Sequence, residues 1–476
     1  MKEKNAHNSS RRKFLRDSSF AAAGFFIVPR HVLGRGFVAP SDKLIVAGIG
    51  AGGKGESDLK NFFESGKVEI AYLCDVDERQ AANSVKRYPN AKYYKDFREM
   101  LHKEHKHIDA VSVSTPDNIH AIAAASAMQL GKHVYVQKPM THDIYEARML
   151  TEMANRYKVV TQMGNQGSSG DGVRQMQEWY NAGIIGDATK IIVWTNRPVW
   201  PQGLGIPKTK DEIPKELDWD LWLGPAQFQE YHKEFVPFSW RGFWAFGTGA
   251  LGDMGCHLID PAFKTVGLGY PSEVECSEGS LYEKMWTAAY YPESCPSSSS
   301  VILKFPGKNG KPDVKLHWMD GGIVPERPEE LGPDEKMGGD DDGGVIIEGT
   351  KGKMMCGTYG SNPQLLPTSR TKEVNVSKTL ARVPEGHYVQ WVNACIAGYG
   401  KNQLSSPFEY AGPLTETILM GNLALRSYMI KGTNGRGFPG RKKLLWDAVN
   451  MKITNFDEAN QFVKREYRNG WDIKLG

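Results

Sequence analysis

Leu44-Ile45-Val46-Ala47-Gly48-Ile49-Gly50-Ala51-Gly52-Gly53 is an apolar run that ends in a cluster of glycines. A short apolar run bounded by a turn signal predicts a buried strand, and the spacing Gly48-x-Gly50-x-x-Gly53 predicts a turn into a helix that faces a dinucleotide. Each glycine has a physical task in that reading: Gly48 makes the tight turn, Gly50 lets backbone approach a pyrophosphate, and Gly53 lets the helix pack close on the strand. Ala51 and Gly52 complete the loop, and the unpaired N–H groups of the helix's first turn face the anion. Asp75 closes the next predicted strand, 68–74. A carboxylate there accepts hydrogen bonds from the adenosine ribose and repels a 2′-phosphate, so the expected cofactor is NAD rather than NADP.

Outward from this turn, apolar runs at 44–49, 68–74, 91–94, 108–114, 133–136 and 159–163 alternate with helical patterns near 79–87, 97–102, 119–130 and 144–156. That alternation predicts a doubly wound parallel sheet covered on both faces. Ser114-Thr115-Pro116-Asp117-Asn118-Ile119-His120 follows the fourth strand, at the carboxyl end where open α/β sheets bind ligands. Pro116 stiffens the turn after Thr115, and Asn118 and His120 are placed to face the nicotinamide. Past residue 164 the pattern changes: strand-like pieces at 190–194, 273–281, 300–305, 314–318, 345–348 and 354–356 follow one another without regular helices between them. A largely antiparallel sheet is expected, flanked by helices at 172–182, 251–266, 388–396 and 413–427. The irregular stretches 198–237 and 320–344 are long enough to be lids. The resulting division is a signal segment at 1–39, a nucleotide-binding domain at 40–164 and a substrate-binding α+β domain at 165–476.

Gly131-Lys132-His133-Val134-Tyr135-Val136-Gln137-Lys138-Pro139 resembles the GKHVxxEKP signature of the Gfo/Idh/MocA oxidoreductase superfamily. Cys74-Asp75-Val76-Asp77 and the Thr115-Pro116 turn fall in that family's order. Trp240-Arg241-Gly242-Phe243-Trp244, the run from Gly249 through Asp253 and His257 to Asp260, and Tyr467-Arg468-Asn469-Gly470-Trp471 resemble an exported branch related to glucose–fructose oxidoreductase and inositol dehydrogenase. The resemblance implies a Rossmann domain joined to an open-faced antiparallel sheet, with the active site between them, and roles in catalysis for Lys138, Asp253 and His257. One position departs from it. Gln137 stands where the family has Glu, which keeps the shape and removes a negative charge beside Lys138 and the nicotinamide.

Hydride transfer from a sugar carbon needs a base for the hydroxyl proton, a group that stabilises the developing alkoxide, and a cofactor held face-on. His257, with an ordinary pKa of about 6.5, suits the first task. Asp253 precedes it by one helical turn and could orient the imidazole. Lys138, at a strand's carboxyl end, suits the second task. Half of the 12 tryptophans crowd into 194–244, where aromatic faces pack against sugar C–H faces. Trp240, Arg241, Asn165 and Gln166 are candidate substrate contacts. Asp253, His257 and Asp260 carry acceptable metal-ligand types, but no metal is expected.

The chain has 476 residues, 40% apolar and 24% charged, an ordinary folded composition. Its net charge of +4 comes from the first 39 residues, so the body is slightly acidic and nucleic acid is an unexpected partner. Ser10-Arg11-Arg12-Lys13-Phe14-Leu15-Arg16, with the short apolar stretch after it, resembles a twin-arginine export signal, too short to span a bilayer. The expectations are therefore the twin-arginine machinery as a partner, periplasmic localisation, no membrane span and a homo-oligomer built on the exposed sheet. Six cysteines without metal-type spacing could pair in an oxidising compartment. The leading functional expectation is an NAD-dependent oxidoreductase acting on a sugar, glycoside or polyol hydroxyl with a tightly held cofactor. A redox-neutral NAD-dependent glycosidase or epimerase comes second, and a noncatalytic carbohydrate binder third.

Overall fold

Six parallel strands, β1 (Leu44–Ile49), β2 (Val68–Cys74), β3 (Lys92–Tyr94), β4 (Ala110–Val113), β5 (His133–Val136) and β6 (Thr161–Met163), pair in the order β3-β2-β1-β4-β5-β6. The protein is described by a computed structural model covering residues 43–338 and 341–472, so the expected export signal at 1–39 lies outside the described residues. Side chains of β1 and β4 are buried almost throughout because helices cover both faces, which is why these strands read as continuous apolar runs. The helices are α1 (Lys54–Glu64), α2 (Glu78–Arg87), α3 (Phe97–Glu104), α4 (Asp117–Gln129) and α5 (Ile144–Tyr157). Their starts are written locally. Asp77 and Asp96 accept from the backbone N–H groups of Arg79 and Arg98, and Asp143 and Glu146 form a reciprocal capping box on α5. The strand order reverses between β1 and β4, and this opens a crevice at their carboxyl ends.

After α6 (Asp171–Asn181), β7 (Ala188–Thr195), α7 (Trp219–Leu223) and the long helix α8 (Gly249–Val266), the chain builds most of a second sheet. Its later strands are β8 (Glu273–Glu278), β11 (Ser299–Phe305), β12 (Val314–Met319), β13 (Gly343–Gly349), β14 (Gly352–Cys356), β15 (Gln364–Leu366), β16 (Leu444–Asp447) and β17 (Lys452–Ile453). The separate hairpin β9 (Tyr282–Lys284) and β10 (Thr287–Ala288) lies outside it, and the remaining helices are α9 (Arg370–Glu373), α10 (Gly386–Ala397) and α11 (Phe408–Tyr428). The nine strands run β15-β14-β13-β7-β12-β11-β8-β16-β17. All neighbours are antiparallel except β7 and β12, where Lys190 faces Lys315 and Trp194 faces Met319 in parallel register.

Packing adds detail to two features of the expected organisation. The expected break at residue 164 is not a break in packing: Trp391, Val392 and Cys395 of α10 share a core with Val46, Leu59, Phe62 and Tyr135, with the Phe62 and Trp391 rings 4.9 Å apart. The second half of the chain thus completes the nucleotide lobe. Nor is the sheet's outer face wholly open. Leu331 and Met337, from the stretch expected as a lid, cover Ile192, Trp194, Met319, Ile346, Met355 and Leu366. Cys74, Cys256, Cys276, Cys295 and Cys395 are thiols, four of them buried. No helix among the described residues is long and apolar enough to cross a membrane.

Candidate active site

Two overlapping registers, Gly48-x-Gly50-x-x-Gly53 and Gly50-x-Gly52-x-x-Gly55, fit the dinucleotide spacing, and the structure selects the second. β1 continues through Ile49, so the turn begins at Gly50, whose φ of +79° and approach to the Ser114 carbonyl (2.5 Å from a built Cβ) exclude a side chain. A Cβ on Gly52 would meet the Gln80 carbonyl at 2.5 Å, and one on Gly55 would lie 1.8 Å from the Gly50 oxygen. Close helix packing therefore belongs to Gly55, not Gly53, and Gly48 packs against Leu59 instead of making the turn. Gly53 caps α1 with φ of +53° and open space before it, the room a phosphate needs at a helix N-terminus.

Asp75 sits beside this loop. One carboxylate oxygen accepts from the N–H groups of Ala51 (2.9 Å) and Gly52 (3.1 Å), and the other from Asp77 (3.0 Å). Burial pushes its pKa up to about 6, against the pull of those three N–H groups. Thr115 and Pro116 line the same cleft, of about 730 Å³. Asn118 and His120, expected to face the nicotinamide, do not line this cleft. Asn118 donates to the Leu223 carbonyl (2.9 Å), and the His120 ring lies between the Pro139 and Thr115 carbonyls at 2.8 and 2.9 Å. Both are buried because the first turns of α4 point inward, and their task is to fix the turn.

Gln137 resolves its own departure from the family signature. Its amide donates to Asp58 of α1 at 2.8 Å, and Ser114 donates to the same oxygen at 2.8 Å. Lys54 pairs with the other oxygen of Asp58. A carboxylate thus lies behind position 137 even though that residue is neutral. A glutamate at 137 would set two acids together and require a shared proton.

The catalytic candidates converge from both lobes. Lys138 Nζ lies 2.7 Å from Asp253 Oδ1 and 2.7 Å from the Asp253 carbonyl. Arg241 Nε is 3.5 Å from the same carboxylate oxygen. Burial works against the Asp253 charge, but Lys138 and Arg241 outweigh it and hold the carboxyl below its ordinary range. The expected bond from Asp253 to His257 is replaced by this pairing with Lys138, because the ammonium reaches into the first turns of α8. His257 is buried, its Nδ1 lacks a protein partner, and burial followed by the Lys138 charge depresses its pKa well below 6.5. The imidazole is therefore neutral at ordinary pH.

Among the expected substrate contacts, Gln166, Trp240 and Arg241 line the cleft. Asn165 instead is fully buried with both side-chain polar atoms unpartnered. Arg241 stacks on Phe238 and Trp240 at 4.1 and 4.3 Å, which aims it alongside its pairing with Asp253. Most of the tryptophans are core: Trp219 and Trp222 stack at 4.7 Å in an aromatic cluster with Phe235 and Phe246. The Trp200 and Trp240 indole N–H groups already donate to Gln202 and Pro237, so they are not spare for a sugar hydroxyl. Asp260 accepts from Tyr410 and Ser168, and no cluster of three metal-ligating side chains forms among the described residues.

Sequence reasoning missed four participants, Gly55, Asp58, Arg197 and Tyr359. The second glycine register and the acid four residues into α1 after Lys54 were visible signals for the first two. Arg197 lines the cleft while paired to Asp342 at 3.1 Å. Tyr359 holds φ of +64°, which is costly for a bulky residue, and its ring meets the His257 ring edge-on at 4.6 Å. A Cβ on Gly167 would strike the Tyr359 backbone at 2.7 Å, so the strained turn is wedged in place.

Comparison with known proteins agrees with this geometry. The family model described as an oxidoreductase family, NAD-binding Rossmann fold, matches residues 44–165, and the model of the same family's C-terminal alpha/beta domain matches 172–277. Aldose-aldose oxidoreductase from Caulobacter crescentus shares the fold at TM-score 0.52 and 14% identity, over 81% of this chain and 97% of that one. Levoglucosan dehydrogenase, solved with NADH, does so at 0.53 and 16%, over 80% and 98%. A glycosyl hydrolase family 109 protein of a Shewanella species is 29% identical over 175 residues, 32% of this chain. An alpha-N-acetylgalactosaminidase of Shewanella oneidensis is 27% identical over the same length. The match spans 38% of the length of these curated relatives.

Proposed function

We propose, for a chain that belongs to the Gfo/Idh/MocA oxidoreductase superfamily and carries its NAD-binding Rossmann domain, that it oxidises a hydroxyl of a sugar, glycoside or polyol. The observation that carries this reading is one cleft, lined at one end by the Gly50–Gly53 loop and Asp75 and at the other by Lys138, Asp253 and His257. Bound NAD would accept the hydride. His257, kept neutral by burial, takes the hydroxyl proton at a ring nitrogen. Lys138, fixed by Asp253, stabilises the oxygen as its charge develops, and Gln166, Trp240 and Arg241 orient the ring. Loss of a proton and a hydride leaves a carbonyl on the substrate.

The second reading is redox-neutral: the same oxidation acidifies the neighbouring C–H, elimination and water addition follow, and the hydride returns. The match to family 109 glycosyl hydrolases over the nucleotide lobe favours keeping it. Purified protein mixed with methyl and aryl pyranosides separates the two. Lasting reduced nicotinamide with a ketone product supports the dehydrogenase, and released sugar with no net reduction supports the glycosidase. Binding without either outcome would overturn both and leave a carbohydrate binder. The twin-arginine sequence at 10–16 supports export with the cofactor already bound, and this accords with a cofactor that stays put.

A further inference from the structure

The segment after β17 runs back over the nucleotide lobe and brings an indole into the dinucleotide cleft. Its course is fixed by successive anchors. Arg465 pairs with Glu146 (Nη2 at 2.6 Å, Nε at 3.0 Å), and Tyr467 donates to the same carboxylate. The Arg468 backbone N–H donates to the Pro225 carbonyl at 3.0 Å, its Nε to the Gly224 carbonyl at 3.1 Å, and its guanidinium pairs with Asp220. Arg98 Nη1 then reaches the Gly470 carbonyl at 3.4 Å. Trp471 follows, only 5% exposed, with the Arg98 guanidinium 4.0 Å from its ring and the Phe97 ring 6.2 Å away. Phe97 and Asp96 lie just after β3, on the side of the cleft that also holds Asp75 and Asp77.

We infer that Trp471 closes the adenosine end of the groove and sets how long the dinucleotide stays bound. The inference rests on reading the cleft as the NAD site. In a doubly wound sheet the end beside the β2 acid receives the adenosine, and its base presents a flat aromatic face. Trp471 lines the groove there together with Phe97. Arg98 behind it holds the ring in one orientation, so little side-chain entropy is lost on binding. The indole comes from the far end of the chain, so retention of the cofactor depends on the C-terminal segment being docked. A protein that must keep one nucleotide through many turnovers gains from such a contact, because it touches the half of the cofactor that does not react.

Half-cofactors test this without turnover. In full-length Trp471→Ala, calorimetric binding of ADP-ribose and of NAD should weaken by about tenfold or more, the scale of losing one aromatic stack on a base. Binding of nicotinamide mononucleotide should not change. Trp471→Phe should recover most of the loss, and nucleotide recovered from the denatured protein should fall in the Ala variant alone. Should Trp471→Ala fail to fold, Arg98→Ala must give the same half-selective pattern in smaller measure. Equal weakening of both half-cofactors would make Trp471 a merely structural residue and overturn the inference, as would unchanged ADP-ribose affinity. Neither outcome depends on which substrate is oxidised.

Discussion

The two ends of the cleft are built differently. At the nucleotide end, the contacts are made by backbone: Gly50 against the Ser114 carbonyl, Gly52 against the Gln80 carbonyl, and amides of the loop against Asp75. At the substrate end, side chains from separate segments meet, Lys138 with Asp253 and Arg241, and His257 with Tyr359. A backbone site tolerates almost no change of residue type in its glycines but little cares which polar groups surround it. A side-chain site can lose its chemistry while the fold stands. Changes at the two ends should therefore fail in opposite ways.

The largest effect is expected at the substrate end. His257→Ala should lower kcat by roughly 10²–10⁴-fold, the usual worth of a positioned base, with bound NAD nearly unchanged. A variant that keeps full activity would remove His257 from the reaction. The pH profile sharpens the point. Burial first, and Lys138 second, lower the His257 pKa, and a base is competent above its pKa. The acid limb of kcat/KM should accordingly fall well below pH 6.5. Lys138→Met removes one of those causes, so an NMR titration of His257 in that variant should move upward. A downward move would contradict the assigned field.

At the nucleotide end the failure should be structural, and it should discriminate between two neighbouring glycines. Gly55→Ala puts a carbon 1.8 Å from a backbone oxygen that cannot yield. It should cost about 1–3 kcal/mol or more by overpacking and release the nucleotide. Gly53→Ala meets no atom within 4 Å, and its cost is backbone strain alone, at φ +53° and ψ −114°, about 1–3 kcal/mol. Urea unfolding of the two variants, with the nucleotide content of each, reads the difference. Equal losses would return the motif to the register Gly48-x-Gly50-x-x-Gly53.

This pair also shows what was legible in the sequence. The strands of the parallel sheet were, to within a residue or two, because burial on both faces leaves mostly apolar runs at 44–49, 68–74 and 133–136. The glycine loop was legible as a loop but not in register, since two spacings coincide in one stretch and only packing separates them. At the other end Lys138, Asp253 and His257, expected together, do line one cleft, yet their pairing was not legible. Helical spacing puts Asp253 and His257 on one face, but an ammonium from the other lobe competes for the carboxylate, and no local pattern encodes that. Asn118 and His120 misled for the same reason: a polar residue at a strand's carboxyl end faces ligand or carbonyl according to what packs over it. Tyr359 had no signal at all, because a strained turn announces itself only in φ. The short strands β15 to β17 were missed because runs of two to four residues carry no period.

The smallest effect belongs to the residue that joins backbone and side-chain logic, Asp75. Its folded pKa is raised from 3.8 to about 6, chiefly by burial. For a carboxyl raised on folding, the stabilising contribution is complete below its unfolded pKa and is lost as pH rises through the folded value. The nucleotide-free protein should therefore lose about 1 kcal/mol of stability between pH 4 and pH 7 from this group, a figure discounted for its partial exposure. NAD affinity should run the other way, because protonation takes one acceptor from the ribose hydroxyls: weaker below pH 6, level above it. Asp75→Asn cannot titrate, so both slopes should flatten together while affinity at pH 7 drops several-fold. If the variant kept the wild-type pH slope of NAD binding, the titrating group would lie elsewhere. The carboxylate would then be serving only the loop amides of Ala51 and Gly52, a backbone role like that of the glycines beside it.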